Sequence, residues 1–187
     1  MSAPAINSTT DAVTYLVGQH RRIRELFDEV AGAADTGERE RKFFELRRLL
    51  AVHETAEEEI IHPLARRAID NGDAVVDARL EEENKAKKQL TDLESVDVGS
   101  AEFETRLAAL RQAVLTHAEH EETEEFNRLR AEIDGEELRR LRSTVELAEA
   151  MAPTRPHPGV ESAKANVLAG PFAAMMDRAK DLISKPR

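Results

Sequence analysis

The stretch His53-Glu54-Thr55-Ala56-Glu57-Glu58-Glu59-Ile60-Ile61-His62-Pro63 (HETAEEEIIHP) decides how this chain is read. On a helix, residues four apart lie on one face, so His53 and Glu57 aim an imidazole and a carboxylate at the same point. The same HxxxE spacing returns 64 residues later in His117-Ala118-Glu119-His120-Glu121 (HAEHE). A half-built metal site is thus made twice.

Outward from these motifs, the apolar residues fall at helical spacing. Asn7 to Asp11 (NSTTD) is a run of capping residues ahead of Leu16, Ile23, Phe27 and Val30, which predicts a helix from about Asp11 to Ala34. After the turn Asp35-Thr36-Gly37, Phe43, Leu46, Leu50, Ile60, Ile61 and Leu64 mark a second helix, in which Pro63 is expected to force a kink. Asp70-Asn71-Gly72 ends it, and Val76, Leu80, Leu90 and Leu93 carry a third up to the break at Asp97 to Ser100. Leu107, Leu110, Val114 and Leu129 define the fourth, closed by Ile133-Asp134-Gly135. Long amphipathic helices joined by short loops predict an all-α fold, an up-down-up-down four-helix bundle.

The domain organisation follows: a flexible N-terminus over 1–10, the bundle over 11–134 and a C-terminal extension over 135–187. The extension reads as a short helix of about Glu136 to Ala150, the proline-rich linker MAPTRPHPG (151–159) and an amphipathic tail helix with Leu168, Phe172, Met175, Met176, Leu182 and Ile183. The apolar face of that tail is expected to pack on the bundle, with a partner surface as the alternative.

Composition narrows the chemistry. The chain of 187 residues is 41% hydrophobic but only 4% aromatic, so its core is built mostly of aliphatic side chains, as in packed helices. There is no cysteine, which excludes disulfides, thiolate zinc sites, iron–sulfur clusters and cysteine nucleophiles. A bound metal must then rest on histidine and carboxylate. The net charge of -10 repels polyanions, and no basic patch stands out, so nucleic acid is not an expected partner. The N-terminus MSAPAINSTTDAV lacks a basic region followed by an apolar run, and no segment approaches the roughly 20 apolar residues of a membrane span. A cytoplasmic protein without membrane contact is expected.

A single histidine on an apolar face is most often a core residue with its hydrogen bonds satisfied, so co-location has to carry the metal reading. Counted from the turns at about 1.5 Å per residue, His20, His53, Glu83 and His117 lie at nearly one height on four antiparallel helices. Phase agrees, since His20 falls in line with Leu16, Ile23 and Phe27, and His117 with Leu110, Val114 and Glu121. Glu83 shares the face of Val76 and Leu90, whereas its rival Asn84 is rotated off Leu90. The helix pairs also read as an internal repeat, with His20 to His53 spaced 33 residues and Glu83 to His117 spaced 34, a count that Asn84 would fit equally well.

Two hairpins, each giving one lone ligand and one HxxxE pair, build a pseudo-twofold site for two metals. Glu57 and Glu121 are placed to bridge them, and His20, His53, Glu83 and His117 to cap the outside. The competing reading is a metal-free hydrogen-bond network of the same six residues. Buried carboxylates without compensation cost several kcal/mol each, and no Lys or Arg is expected on the same faces at this level, which favours cations.

These residues resemble the hemerythrin-like family, the HHE cation-binding domain, over about Asp11 to Ile133. The resemblance rests on the lone histidine in DAVTYLVGQHRRIRELF (11–27), on HETAEEEIIHP (53–63) and on HAEHEETEEF (117–126). The tail segment APTRPHPGVESAKANVLAGPF (152–172) is similar to the C-terminal extension of many bacterial members. The resemblance implies a non-haem centre of two iron ions, with manganese as the alternative, joined by an oxo, hydroxo or water bridge. It carries over His20, His53, Glu57, His117 and Glu121 as ligands, and implies reaction with hydrogen peroxide, dioxygen or nitric oxide.

Departures shift that reading. Members commonly have a histidine on the third helix where this chain offers Glu83, which moves the site toward carboxylate-rich ligation and away from reversible oxygen transport. Glu54 makes the pattern HExxE, similar to iron-sensing relatives, and is a further candidate ligand. His62, nine residues past His53, is expected to point away from the metal and to be a structural group or one that supports a ligand; His120 and Glu124 are expected to orient ligands or move protons, and His157 to face solvent. The function expected is a di-iron protein reacting with peroxide or dioxygen, in detoxification or redox response, with catalase-like or peroxidase-like turnover as its enzymatic form. The alternative is a module that senses oxygen, nitric oxide or iron without turnover. A monomer or weak homodimer is expected.

Overall fold

The computed structural model describes residues 10–151. Helix α1 (Ala12–Ala31) starts where the Asp11 carboxylate accepts the Thr14 backbone N–H at 2.7 Å, and it stops at Gly32. Helix α2 (Thr36–Ala56) is capped the same way by Asp35, which accepts from the Glu38 N–H at 2.8 Å. Thr36 and Gly37 therefore belong to its first turn and not to the loop. Helix α3 (His62–Ala68) continues α2 after a π-helical turn over Glu57–Ile61. Helices α4 (Gly72–Glu94) and α5 (Ala101–His120) form the second hairpin, with Ser100 capping α5. A second π turn over Glu121–Phe126 leads into α6 (Asn127–Glu132), and α7 (Gly135–Met151) follows.

The chain is all-helical over the described residues and forms a four-helix bundle. Its hairpins α1/α2 and α4/α5 pack most extensively, and α7 lies against α1, α2 and the first π turn. The linker, the tail helix and His157 fall outside the described residues. No helix among the described residues is long and apolar enough to cross a membrane.

The two π turns are what periodicity did not show. Each begins at the glutamate of an HxxxE pair, and each closes i→i−5 bonds in place of i→i−4, taking up one more residue per turn. Pro63 sits directly after the first of them, at the start of α3. The proline is thus met by a widened turn that frees the carbonyl its ring would otherwise strike, and not by the simple kink its position suggests.

The core divides into two apolar clusters. One contains Leu16, Ile60, Ile61, Val76, Phe126 and Leu129, joined by Leu138, Leu141 and Val145 of α7. The other contains Ile23, Phe27, Leu46, Leu90, Phe103 and Leu110. On every arm of the bundle a polar residue falls between members of the two: His20 between Leu16 and Ile23, His53 between Leu50 and Ile60, Glu83 between Val76 and Leu90, His117 between Leu110 and Phe126. A buried polar layer thereby crosses the bundle.

The turn into α4 is tight. Asn71 adopts the left-handed conformation (φ 56°), which Asn tolerates better than most residues. A Cβ on Gly72 would lie 2.4 Å from the Ala65 carbonyl oxygen and 2.8 Å from the Arg66 Cα. Backbone cannot yield as a side chain can, so Gly72→Ala is expected to destabilise the fold by about 1–3 kcal/mol. Thermal melting checks this, and an unchanged Tm would contradict the close approach of α3 and α4.

Candidate metal centre

The polar layer brings His20, His53, Glu57, Glu83, His117 and Glu121 together. His20, His53, Glu57 and Glu121 offer ligand atoms that all lie within 4.8 Å of one another, and so do Glu57, Glu83, His117 and Glu121. Glu57 and Glu121 belong to both groups, so they stand between two potential cation positions. All six residues are buried. Asn84 is only half-buried, whereas Glu83 is buried and belongs to the second group.

The Nε2 atoms of the three histidines face the shared carboxylates: His53 lies 3.2 Å from Glu57, and His20 and His117 each lie 3.3 Å from Glu121. Their Nδ1 atoms are held from outside. His20 is paired with Glu122 at 2.8 Å, His53 with Gln19 at 2.7 Å and His117 with Glu82 at 3.1 Å. Tying down Nδ1 orients each ring and leaves Nε2 for the interior. The His20 ring also stacks on Phe126, with centroids 5.7 Å apart.

Whether these residues suit a cation can be judged from their unmet bonds. Both oxygens of Glu57, both oxygens of Glu121, and the Nε2 atoms of His20 and His117 are buried without a hydrogen-bond partner. The ion-pair distances above are therefore approaches without hydrogen-bond geometry. A buried carboxylate with neither oxygen satisfied is costly, and a di-cation centre supplies what all six atoms lack. The donor set fits metal cations.

Electrostatics describe how protons share the layer. Burial together with the Glu121 charge pushes the Glu57 carboxyl up to about 8. Burial also acts on Glu121, but His117 and His20 outweigh it and hold that carboxyl well below its usual range. Burial would lower His20 and His117, yet Glu121 and their Nδ1 partners raise both well above the ordinary histidine value. His53, buried beside His20, is lowered to about 3 and stays neutral.

Two expectations need correction. His62 does not point away: it is buried, pairs through Nε2 with Glu83 at 2.7 Å and through Nδ1 with Glu125 at 2.9 Å, and groups with Glu121 and Glu125. The π turn between His53 and His62 is the cause, because its extra residue rotates everything beyond it by roughly a quarter turn. Secondly, a cation does reach this level. Lys87 is buried, lies 3.4 Å from Glu83 and 3.6 Å from Glu54, and is bonded to Glu58. Glu54, the further candidate ligand, is buried with Lys87 3.6 Å away and lies in neither of the two four-residue groups.

His120 and Glu124 sit in the network outside His117. His120 Nδ1 is 2.8 Å from Glu82, which also holds His117, while Glu124 pairs with Arg79 at 3.0 Å, and Arg79 in turn reaches Glu82. Sequence reading missed Gln19, Glu82, Glu122, Glu125 and Lys87. A signal was present, since Gln19, Glu82 and Glu122 each adjoin a member of the central six and so point sideways, at the next helix.

Comparison with known proteins agrees with this geometry. The family profile described as Hemerythrin HHE cation binding domain matches residues 11–129. A curated protein from Nostoc sp., described as a DNA nickase, is 25% identical over 118 residues, 63% of this chain and 33% of that protein, so the chain spans about a third of its length. Among solved structures, a hemerythrin HHE cation-binding domain-containing protein from Mycobacterium kansasii shares the fold with a TM-score of 0.68, at 19% identity, over 91% of this chain and 99% of that one.

Proposed function

The chain belongs to the hemerythrin HHE cation-binding domain family, and from that premise we propose that the buried layer holds two iron ions and reacts with hydrogen peroxide or dioxygen, removing peroxide as a protective activity. The observation that carries the reading is the pair Glu57 and Glu121, with four buried oxygens unbonded between three inward-facing imidazoles. One ion would rest on His20 and His53, the other on His117 and Glu83, with both shared carboxylates between them. Iron there would supply and accept electrons for peroxide or dioxygen in a water-poor interior.

The chain's own residues prepare that centre. Glu122, Gln19 and Glu82 hold the three imidazoles by Nδ1, so the Nε2 atoms face inward without reorganisation. The apolar clusters on both sides keep bulk water away. Glu83 adds a carboxylate donor, and added negative charge favours the ferric over the ferrous state, which disfavours reversible oxygen carriage. Nitric oxide is a further small molecule that such iron would meet.

The test is oxygen evolution from peroxide, two molecules giving two of water and one of dioxygen. Iron-loaded protein is expected to evolve oxygen rapidly, and His53→Ala to lose that activity with its iron. A fully loaded but inert centre would overturn turnover. A second reading, sensing without turnover, is favoured by α7, which packs on α1 and α2 beside the site. Proteolysis beyond α7 with and without iron addresses it, since identical cleavage in both states speaks against a switch.

A further inference from the structure

We propose that Glu149 of α7, acting through Gln19, fixes the ring orientation and tautomer of His53, so that the helix following the bundle is part of the metal site. The inference rests on the reading of His53 as a ligand. The three imidazoles are not held alike. His20 and His117 have carboxylates at Nδ1, from Glu122 and Glu82. A carboxylate only accepts, so each forces the proton onto Nδ1. His53 has the neutral amide of Gln19, and an amide can be turned either way.

As it stands, Gln19 Oε1 accepts from His53 Nδ1–H at 2.7 Å, and the lone pair of Nε2 faces Glu57. Turned over, the amide would present its NH2 group to Nδ1 and drive the proton to Nε2, where it would block a cation. Nothing in His53 itself prevents this. Glu149 does: its Oε1 accepts from Gln19 Nε2 at 2.8 Å, and a carboxylate has no proton to give to a turned amide oxygen. The carboxylate is fixed in turn by the Tyr15 hydroxyl, which donates to Oε2 at 2.8 Å, and by the buried Val145 and Ala148 on the same helix. Both Gln19 and Glu149 are positioning residues.

The experiment measures ferrous ion binding to the full chain by chelator competition without oxygen, expressed per folded protein. Gln19→Leu and Glu149→Leu are each expected to weaken one of the two ions by about 10–100-fold and to spare the other. The exchanged pair Gln19→Glu with Glu149→Gln reverses donor and acceptor between the positions while leaving a carboxylate for His53 Nδ1–H. It is expected to restore binding to within about threefold of the wild type, a rescue that loss of packing would not show. Leu141→Ala, which loosens α7 without touching Gln19, is expected to lower Tm and leave affinity unchanged. Wild-type affinity in both leucine variants, no rescue by the exchanged pair, or equal weakening in Leu141→Ala overturns the proposal. Retention of both ions by His53→Ala would instead overturn the underlying assignment of the ligand.

Discussion

Stripped of metal, the protein is expected to melt about 10–20 °C below its loaded form, with the gap widening between about pH 6.5 and 8. Each ion present at a hundred times its dissociation constant contributes about 2.7 kcal/mol, so two contribute about 5 kcal/mol. A domain of this size moves by about 2–4 °C per kcal/mol. The pH dependence belongs to the metal-free fold. Glu57, raised to about 8 by burial and by Glu121, binds its proton more tightly folded than unfolded, so stability is lost as the pH climbs toward 8. His20 and His117 are raised despite their burial, so the stability they contribute is complete below about pH 6.5 and is lost above it. Three groups of the layer oppose this trend, but at lower pH. Glu121 and Glu83 are depressed and contribute uniformly above the ordinary carboxylate range, and His53, lowered to about 3, has reached its full neutral contribution by about pH 6.5. Above that point only losses remain. In the loaded protein, cations replace these protons, so its Tm should change little over the same interval. Calorimetry of both forms from pH 6 to 8.5 checks the result; coincident melting curves would mean that nothing at this layer binds metal.

The co-location of six buried residues was legible because helical geometry is rigid. A rise and a rotation per residue sufficed to bring His20, His53, Glu83 and His117 to one height, and the phase of Val76 and Leu90 separated Glu83 from Asn84. The π turns were not anticipated, since a shift from i−4 to i−5 shows in the sequence only as a slip in apolar phase, and the regular 3.6-residue period was carried through both turns. Everything beyond such a turn is rotated, which is why His62 was expected on the wrong side and found between Glu83 and Glu125. The roles of Gln19 and Glu149 were hidden for another reason: their partners belong to different helices, and side-chain hydrogen bonds between elements follow no sequence period. Lys87 was the most accessible omission. It lies four residues after Glu83, on the same face, where no Lys or Arg was expected, and its long side chain turns the ammonium inward.

Lys87 also carries the second large effect. Its ammonium is the cation that meets Glu54, Glu58 and Glu83, and these carboxylates together with burial set its state: desolvation lowers the ammonium pKa, but the three acids outweigh it and raise it. Burial lifts the carboxyls of Glu54 to about 7 and Glu58 to about 8 even with Lys87 present. Lys87→Met fills most of the same volume and removes the charge, leaving three acidic side chains without their shared partner. Breaking a buried ion pair from one side costs about 3–5 kcal/mol, so Tm is expected to fall by roughly 6–20 °C. The cost arises from the stranded acids rather than from lost packing, so Lys87→Met combined with Glu54→Gln should recover part of the loss, a coupling that a double-mutant cycle measures. Additivity of the two substitutions would show that Lys87 and Glu54 act independently. Metal binding gives an independent reading of the same charges. With Lys87 gone, Glu54 and Glu83 are released toward the cations, and the metal-loaded variant is expected to lose less Tm than the metal-free one. Equal losses in both forms would place the action of Lys87 outside the metal centre.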